Sequence, residues 1–244
     1  MNAPVQPYLF NDFVRAQKRL EDALNQPDEI YLLLTGDTGS GKTPPLRLLH
    51  AAFDRCRYRV SYFSHARLLS APGLIRTLSH TLRLKPRRSH PETVQEMASL
   101  LADDPAQLLL WLDEAHELPD ATLDEARTLA ESDLAGARPV RIFLVGLPSL
   151  RERLQNIPAL WRRIGLREEI AGLTLEELPA FLDHHFQSQA KRLCPEGLRL
   201  LFERGRGTPG LLLPMFRNLL RESPGKLRIE PHALENVLQR WELA

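Results

Sequence analysis

Short β-like runs and amphipathic stretches alternate along the first two thirds of the chain. The runs have the length and composition of β-strands, and they lie at residues 30–35, 58–63, 108–112, 141–145 and 166–170. The run at 108–112 is apolar throughout, which is typical of a strand that is covered on both faces of a sheet. Stretches with helical spacing separate the runs, for example at residues 13–24 and 72–82. Strands that alternate with helices predict an α/β fold with a five-stranded parallel sheet.

The pattern changes near Leu173. Beyond this residue no strand pattern occurs, and helical spacing dominates at residues 175–193, 195–206, 209–222 and 231–241. We therefore predict two domains, an α/β core over residues 1–172 and a helical domain over residues 173–244.

The charges of the chain nearly cancel. Lys and Arg total 32 while Asp and Glu total 31, so the formal net charge is +1. This balance neither requires nor excludes a nucleic-acid partner, and any footprint for DNA must be local. The two cysteines, Cys56 and Cys194, are far apart in the sequence and fit a reducing compartment. Because no apolar run approaches ~18 residues and the N-terminus lacks a signal pattern, we expect a cytoplasmic protein without a membrane segment.

The stretch GDTGSGKT at residues 36–43 directly follows the first predicted strand and precedes a helical pattern. It has the G-x-x-x-x-G-K-[ST] spacing of a phosphate-binding loop, in the strand–loop–helix context that this motif requires. The glycines let backbone N–H groups turn toward phosphate oxygens, and the helix N-terminus adds the positive end of its dipole. The predicted nucleotide-binding residues are Gly36, Asp37, Thr38, Gly39, Ser40, Gly41, Lys42 and Thr43. Lys42 would contact the β and γ phosphates of ATP, and the Thr43 hydroxyl would bind Mg²⁺.

Two prolines follow this loop directly, at Pro44 and Pro45. Proline has no backbone N–H, and the N–H after the Ser/Thr of the motif commonly helps to hold the α-phosphate. Because a hydrogen bond to a charged group contributes about 1.5–3 kcal/mol, we expect ATP to bind tenfold or more weakly than usual. The fold itself should tolerate both prolines if they lie in the first helical turn.

An Asp-Glu pair, Asp113 and Glu114, ends the fully apolar strand at 108–112. This is the partner that a phosphate-binding loop needs for hydrolysis. Asp113 would hold Mg²⁺ through its hydration shell, and Glu114 would act as general base on the attacking water. The full stretch reads DEAH, which also marks a class of helicases. Those enzymes need a second nucleotide-clasping domain, whereas the residues after Asp113 are predicted to be mostly helical, so we reject the helicase interpretation and expect His116 at the surface or behind the site.

The order of these motifs resembles the AAA+ ATPases, which have a phosphate-loop core followed by a small helical lid. The resemblance is closest to a subgroup that holds ATPase regulators of DNA transposition (the TnsC, TniB and MuB kind) and ExeA-like secretion ATPases. It is carried by YLLLTGDTGSGKT, LLLWLDEAHELP, RIFLVGLPSLRERL, LWRRIGLREEI and ERGRGTPGLL, in the order of the subgroup. The first two stretches are highly specific to ATPases, and the other three are less specific.

The resemblance implies further roles for single residues. It places an arginine finger at Arg163, with Arg162 in reserve, that would reach the γ-phosphate on a neighbouring subunit and therefore requires a homo-oligomeric ring or filament. Two positions depart from the family pattern. Leu147 lies where relatives usually have a polar sensor, and Gly210 lies where they usually have the sensor arginine of the lid. These departures favour slow hydrolysis or a nucleotide switch with little turnover.

A basic segment lies between two predicted helices, at residues 83–90. Its certain cations are Arg83, Lys85, Arg87 and Arg88. Such a segment is most often a solvated loop, and the functional alternative is a contact with the phosphate backbone of double-stranded DNA.

Three hypotheses for the function follow. The first is an AAA+ ATPase that assembles on DNA with ATP and recruits a transposase. The second is a nucleotide-gated interaction module with negligible hydrolysis, and the third is an ExeA-like secretion-type ATPase, or another cytoplasmic AAA+ role, without DNA binding. The secretion-type relatives usually carry a membrane segment, for which the sequence shows no candidate, so we favour the transposition branch by family analogy.

Overall fold

A computed structural model of the protein describes residues 7–26, 29–52, 57–85, 89–131 and 140–242. The chain divides into two compact units. One, which we call the sheet unit, holds residues 18–35 and 50–169, and the other, the helical unit, holds residues 1–17, 36–49 and 170–244. The predicted domain boundary between residues 172 and 173 remains a prediction.

Five strands form one sheet in the order β2-β3-β4-β1-β5. They are β1 (Tyr31–Gly36), β2 (Tyr58–Phe63), β3 (Gln107–Leu112), β4 (Arg141–Gly146) and β5 (Ile164–Ile170). All of them lie within two residues of the positions that the hydrophobic pattern predicts. The sheet is parallel and helices surround it, so the predicted α/β class with a five-stranded parallel sheet is confirmed.

The register brings three strand ends to the same edge of the sheet. β4 lies between β3 and β1, with Leu144 opposite Leu112 on one side and opposite Leu33 on the other. Because the three strands are parallel, their carboxyl ends meet at this edge, which we call the carboxyl edge. The opposite edge, where the strands begin, is the amino edge.

Helices of the described residues occupy both units. They are α1 (Asn11–Leu24), α2 (Thr43–Ala52), α3 (Ala71–Thr81), α4 (His90–Asp103), α5 (Asp120–Glu131), α6 (Pro148–Gln155), α7 (Pro158–Trp161), α8 (Leu178–Phe186), α9 (Pro195–Gly205), α10 (Pro209–Glu222) and α11 (Pro231–Glu242). Among the described residues, no helix is both long enough and apolar enough to cross a membrane.

The core of the sheet unit lies on both faces of β3, as its continuous apolar sequence predicts. Leu109, Leu110, Trp111 and Leu112 have no exposed surface. Burying such side chains stabilises the fold by about 1.5–3 kcal/mol each. The sheet therefore holds the end of β3, from which Asp113 and Glu114 follow, in a fixed place.

A buried arginine closes the end of α1 against β4. Arg141 donates hydrogen bonds to the carbonyl oxygens of Leu24 (2.9 Å), Ala23 (3.2 Å) and Gln26 (2.6 Å). The last carbonyls of a helix have no partner within the helix, and these bonds add charged donors at the end of α1. The guanidinium thus replaces the usual glycine cap.

The helical unit departs from the sequence pattern at one point. The helix predicted over residues 175–193 ends at Phe186, because Gln187 has a left-handed backbone with φ of 53°, and a 3-10 turn, Gln187–Arg192, follows. α9 and α10 begin at Pro195 and Pro209, as predicted. Proline at the first helical position lacks an N–H that would have no partner there, so both prolines mark a helix start.

Candidate nucleotide-binding and hydrolysis site

The predicted phosphate-binding loop has the backbone that the motif requires. Gly39 and Gly41 have φ of 76° and 87°, a left-handed region that side chains with a Cβ rarely adopt. Ser40 between them is buried, and its N–H donates to the carbonyl of Asp37 at 3.1 Å. The alternation of left-handed glycines curls the loop, which is the conformation that can direct N–H groups toward phosphate oxygens.

The ammonium group of Lys42 is held over this loop. Its Nζ donates to the carbonyl of Gly36, to the carbonyl of Asp37 at 2.8 Å and to Oγ of Ser40 at 3.1 Å. Phosphate oxygens carry more negative charge than these carbonyls and form stronger bonds with an ammonium. The lysine is therefore placed where an incoming phosphate group can take over its contacts.

The helix α2 starts at Thr43, so Pro44 and Pro45 are its second and third residues. The first hydrogen bond of the turn runs from the N–H of Leu46 to the carbonyl of Lys42, at 3.1 Å. N–H groups at the second and third positions have no partner within a helix. Both prolines thus lie in the first helical turn, where the fold is expected to tolerate them, and their effect on nucleotide affinity stays a prediction. Thr43 and Pro44 are exposed and Pro45 is buried.

The start of α10 packs against the phosphate loop. The N–H of Gly210 donates to the carbonyl of Gly39 at 2.8 Å, and a Cβ on Gly210 would lie 2.8 Å from the Cα of Gly39. No side chain fits at that distance. The absence of an arginine at position 210, read from the sequence as a lost sensor, thus has a steric reason: an arginine there would push α10 away from the loop.

At the carboxyl edge of the sheet, the carboxylate of Asp113 is fixed by two donors. The hydroxyl of Tyr62 donates to Oδ2 at 2.9 Å, and the N–H of Glu114 donates to Oδ1 at 2.9 Å. The N–H of Asp113 itself donates to the carbonyl of Phe63 at 2.9 Å. Sequence reasoning missed Tyr62, because its relation to Asp113 depends on β2 lying next to β3.

Glu114 has a left-handed backbone, with φ of 54° and ψ of 34°. A non-glycine residue in this region costs of order 1–3 kcal/mol, and such residues cluster at functional sites. Its side chain is 50% exposed, and its Oε2 lies 3.8 Å from Nδ1 of His65. The carboxylate is accessible to water, as a general base must be, and His65 is a second residue that the sequence did not reveal.

His116 lies against the end of β4. A Cβ on Gly146 would lie 3.3 Å from its Nδ1 and 3.2 Å from its backbone nitrogen. The Nδ1 atom is buried and has no hydrogen-bond partner among the described residues. The imidazole thus lies beside Gly146, the residue before Leu147, at which the sequence resemblance predicts a polar sensor. Leu147 is also the N-cap of α6 and makes no capping bond with its side chain.

Arg163 lies at the other end of the sheet from Asp113 and Glu114. It directly precedes β5, and it forms an ion pair with Glu131 at the end of α5, which also contacts Tyr31 at the start of β1. Six-residue strands span about 17 Å between the two edges. Arg162, the predicted alternative to Arg163, is exposed and directly follows α7 as its C-cap.

The basic segment is described only in part. Arg83 and Lys85 are exposed, and Arg83 has a left-handed backbone with φ of 58° just after α3. Arg87 and Arg88 lie outside the described residues. The predicted DNA contact of this segment stays a prediction.

A cavity of about 320 Å³ lies between α5 and α7. Its walls are Asp120, Ala121, Leu123, Asp124, Arg127, Ile157 and Leu160. None of the predicted nucleotide-binding residues lines it, so the nucleotide hypothesis depends on the loop and on the end of β3.

Solved structures share this fold at low sequence identity. The crystal structure of Cdc6p from Pyrobaculum aerophilum has a TM-score of 0.66 and 20% identity, over 98% of this chain and 69% of that chain. The Aeropyrum pernix ORC1 protein in complex with DNA has a TM-score of 0.63 and 17% identity, over 98% and 67%. The RuvB Holliday junction branch migration motor of Thermotoga maritima has a TM-score of 0.59 and 16% identity, over 97% and 73%. At these identities the likeness concerns the fold alone.

The sequence itself matches a family model. The comparison with curated proteins finds no match for the sequence. The model described as an AAA domain matches residues 28–154, just over half of the chain, and this stretch includes the phosphate loop, β3 and its Asp-Glu end. The protein belongs to the AAA family.

Proposed function

We propose that the protein binds and hydrolyses ATP. The observation that carries this proposal is the end of β3, where Asp113 is fixed by Tyr62 and by the N–H of Glu114, while Glu114 stays half exposed. In the same chain, β1 leads into a loop with the glycine conformations of a phosphate-binding site. An oriented carboxylate beside an accessible one is the arrangement that metal-assisted hydrolysis of a phosphate requires.

The roles of the loop residues follow from their chemistry. Backbone N–H groups of residues 36–43 hold the phosphates, and Lys42 binds the β and γ phosphates. Thr43 and Asp113 supply a hydroxyl and a carboxylate, the oxygen ligands that Mg²⁺ prefers. When bound, Mg²⁺ neutralises the charge that develops on the phosphate oxygens.

Glu114 performs the proton transfer. Its carboxylate takes a proton from the attacking water as the water oxygen bonds to the γ-phosphorus, and the bond from that phosphorus to the bridging oxygen of ADP breaks. The products are ADP and inorganic phosphate.

Arg163 acts on a neighbouring subunit. Within the sheet unit it lies at the amino edge, whereas the catalytic carboxylates lie at the carboxyl edge, about 17 Å away along the strands. This arrangement supports an arginine supplied in trans to the γ-phosphate and hence a homo-oligomeric ring or filament.

The broader role that we propose is regulation of DNA transposition. The protein would assemble with ATP on double-stranded DNA and recruit a transposase, and hydrolysis would release the assembly. The five sequence stretches similar to transposition regulators support this role. Two solved structures of the same fold also support it, one a complex with DNA and the other a Holliday junction branch migration motor. DNA-stimulated phosphate release would support it further, and a transposase encoded beside this gene is the partner to test first.

A second candidate function is a nucleotide-gated interaction module with little turnover. Leu147 in place of a polar sensor, Gly210 in place of a sensor arginine and Pro44 at the α-phosphate favour it. A secretion-type role without DNA is the remaining alternative, and an absence of DNA binding by the ATP-bound protein at low salt would favour it.

The experiment that tests hydrolysis compares two glutamates of one turn. Glu114→Gln should keep ATP binding and lower phosphate release by about 10²–10⁴-fold, because the general base is lost. Glu117→Gln, at an exposed residue three positions on, should change the rate less than twofold. Measurable wild-type release that Glu114→Gln leaves unchanged would contradict the proposed base, and no release by the wild type would favour the interaction module.

A further inference from the structure

The guanidinium of Arg163 is one member of a network at the amino edge of the sheet, which we call the Glu131 network. Glu131 Oε1 accepts a hydrogen bond of 3.0 Å from the hydroxyl of Tyr31 and forms the ion pair with Nη1 of Arg163. Its other oxygen, Oε2, accepts from Nη1 of Arg127 at 3.3 Å. Three donors thus converge on one carboxylate.

This carboxylate is anchored more firmly than the arginine that it holds. Tyr31 is buried in the first position of β1, and Arg127 is tied to Asp124 by bonds of 2.7 Å and 3.0 Å. The side chain of Glu131 is 23% exposed, whereas that of Arg163 is 54% exposed. Tyr31 therefore fixes the carboxylate from the core side, Arg127 holds it along the surface of α5, and the guanidinium of Arg163 is the more exposed partner of the ion pair.

Within the Glu131 network, Glu131 and Arg163 each stabilise the charged form of the other. Burial alone raises the pKa of the Glu131 carboxyl, but the hydrogen bonds from Arg163 and Tyr31 and the two arginine charges outweigh burial, so its pKa falls below the ordinary value. Glu131 in turn raises the pKa of Arg163. At neutral pH both partners are charged.

We propose that Glu131 is a positioning residue for Arg163: it holds the guanidinium at the surface of the amino edge in the orientation in which a neighbouring subunit's ATP meets it. A free arginine side chain loses rotamer entropy on binding, whereas one held by a fixed carboxylate has already lost most of it. Nη1 faces Glu131, and the guanidinium has five N–H donors in a planar fork, so the pair leaves donors for phosphate oxygens. This inference rests on the proposed function, since it concerns the arginine that acts in trans.

The test mixes two variants that are each inactive for a different reason. Arg163→Ala keeps its own Glu114 but supplies no guanidinium, and Glu114→Gln supplies Arg163 but cannot hydrolyse. In mixed assemblies the Glu114→Gln subunit is the donor and the Arg163→Ala subunit is the acceptor. Phosphate release by the mixture should rise at least tenfold above either variant alone.

Glu131→Gln is then introduced into one partner at a time. In the donor it should lower the recovered rate at least fivefold, because the arginine that is used is no longer held. In the acceptor it should change the rate less than twofold, because the Arg163 of that subunit is already absent. Glu169→Gln in the donor is the matched control, since it removes the carboxylate of an exposed pair, Arg151–Glu169 at 2.9 Å, and should have no comparable effect.

The outcomes separate the two levels of the proposal. No recovery in the mixture of the two single variants would contradict the action of Arg163 in trans, and with it the proposed ring or filament. Recovery that donor Glu131→Gln leaves unchanged would overturn the positioning role alone, and an equal loss from donor and acceptor would show that Glu131 acts only on the stability of the fold. If the Glu131→Gln donor does not fold, Tyr31→Phe in the donor removes one anchor of the carboxylate and should lower the recovered rate at least twofold; an unchanged rate would overturn the role.

Discussion

The hydroxyl of Tyr62 and the carboxylate of Asp113 are 2.9 Å apart, and they join the end of β2 to the end of β3 at the carboxyl edge. This hydrogen bond fixes the orientation of the Asp113 carboxylate, which would otherwise rotate freely. A hydrogen-bond partner that orients a metal ligand in this way commonly affects metal affinity by 10–100-fold.

We therefore predict that Tyr62→Phe raises the Mg²⁺ concentration needed for half-maximal ATP hydrolysis by about tenfold, the lower limit of that effect. The measurement is phosphate release over a Mg²⁺ titration at fixed ATP. Tyr58→Phe on the same strand is the matched control, because its hydroxyl donates to the carbonyl of Leu24 at 2.6 Å, at the end of α1. Equal Mg²⁺ dependence in wild type and Tyr62→Phe would show that the hydrogen bond does not orient the ligand.

Pro44→Thr should tighten ATP binding about tenfold, which corresponds to ~1.4 kcal/mol. The substitution restores an N–H at the second residue of α2, where it can reach the α-phosphate. The affinity is measured by titration calorimetry in the Glu114→Gln background, in which ATP is not hydrolysed during the measurement. Pro45→Ala restores an N–H one residue farther along the helix and should change the affinity less than twofold. Equal affinities with and without the Pro44→Thr substitution would show that the missing donor is irrelevant.

Gly210→Ala should destabilise the helical unit by about 1–3 kcal/mol, the usual cost of forcing an extra methyl group into a packed contact. The new Cβ would lie 2.8 Å from Gly39 Cα, so α10 must move away from the loop or the loop must deform. We expect ATP binding to weaken as well, because residues 39 and 210 share a hydrogen bond. Denaturant unfolding, with and without ATP, measures both effects.

Gly197→Ala provides the comparison for that experiment. Gly197 is also near the start of a helix, but its added Cβ would meet the methyl group of Leu193 at 3.1 Å, the flexible end of a side chain. Gly197→Ala should lower the free energy of unfolding by less than Gly210→Ala does. If Gly210→Ala lowers the free energy of unfolding by less than Gly197→Ala, the contact between Gly210 and Gly39 is not important for stability.

DNA binding, if it uses the basic segment, should depend on ATP and fall steeply with salt. Each phosphate contact adds about 0.9 to the slope of log affinity against log salt. Changing Arg87 and Arg88 to Ala should flatten this slope and leave ATP binding unchanged, as measured by fluorescence anisotropy on a labelled duplex with a non-hydrolysable ATP analogue. Changing the exposed pair Arg199 and Arg228 instead removes the same charge and should leave the slope steep. If the Arg87 and Arg88 double variant binds DNA like wild type at every salt concentration, the basic segment does not contact DNA and is only a solvated turn.

The sequence predicted the strands well because their signal is local. The apolar run before Asp113 and the glycine spacing of residues 36–43 can be recognised without knowing what lies beside them. Tyr62, His65 and Glu131 could not be found in this way, since each acts through a residue that is near in space and distant in sequence. Their roles depend on strand order and on where α5 ends.

Gly210 shows a different limit of sequence patterns. Family comparison treats the position as one that has lost an arginine, and the structure shows what glycine allows there, which is the close approach of α10 to Gly39. The break after Phe186 was missed because neither proline nor glycine marks it, and the left-handed backbone falls on Gln187. Sequence patterns record the residues that commonly end a helix, and they fail where an uncommon residue does so.

The position of Arg163 at one edge and of Glu114 at the other gives any assembly built through them a direction. In the ring or filament that we propose, the amino edge of one subunit meets the carboxyl edge of the next, and such a head-to-tail interface either closes as a ring or continues as a polar filament. In a filament the two ends are chemically different: one terminal subunit has ATP that no arginine reaches, and the other presents an arginine with no ATP to meet. Hydrolysis would then be slowest at the first end, and a filament would shorten and grow at different rates at its two ends.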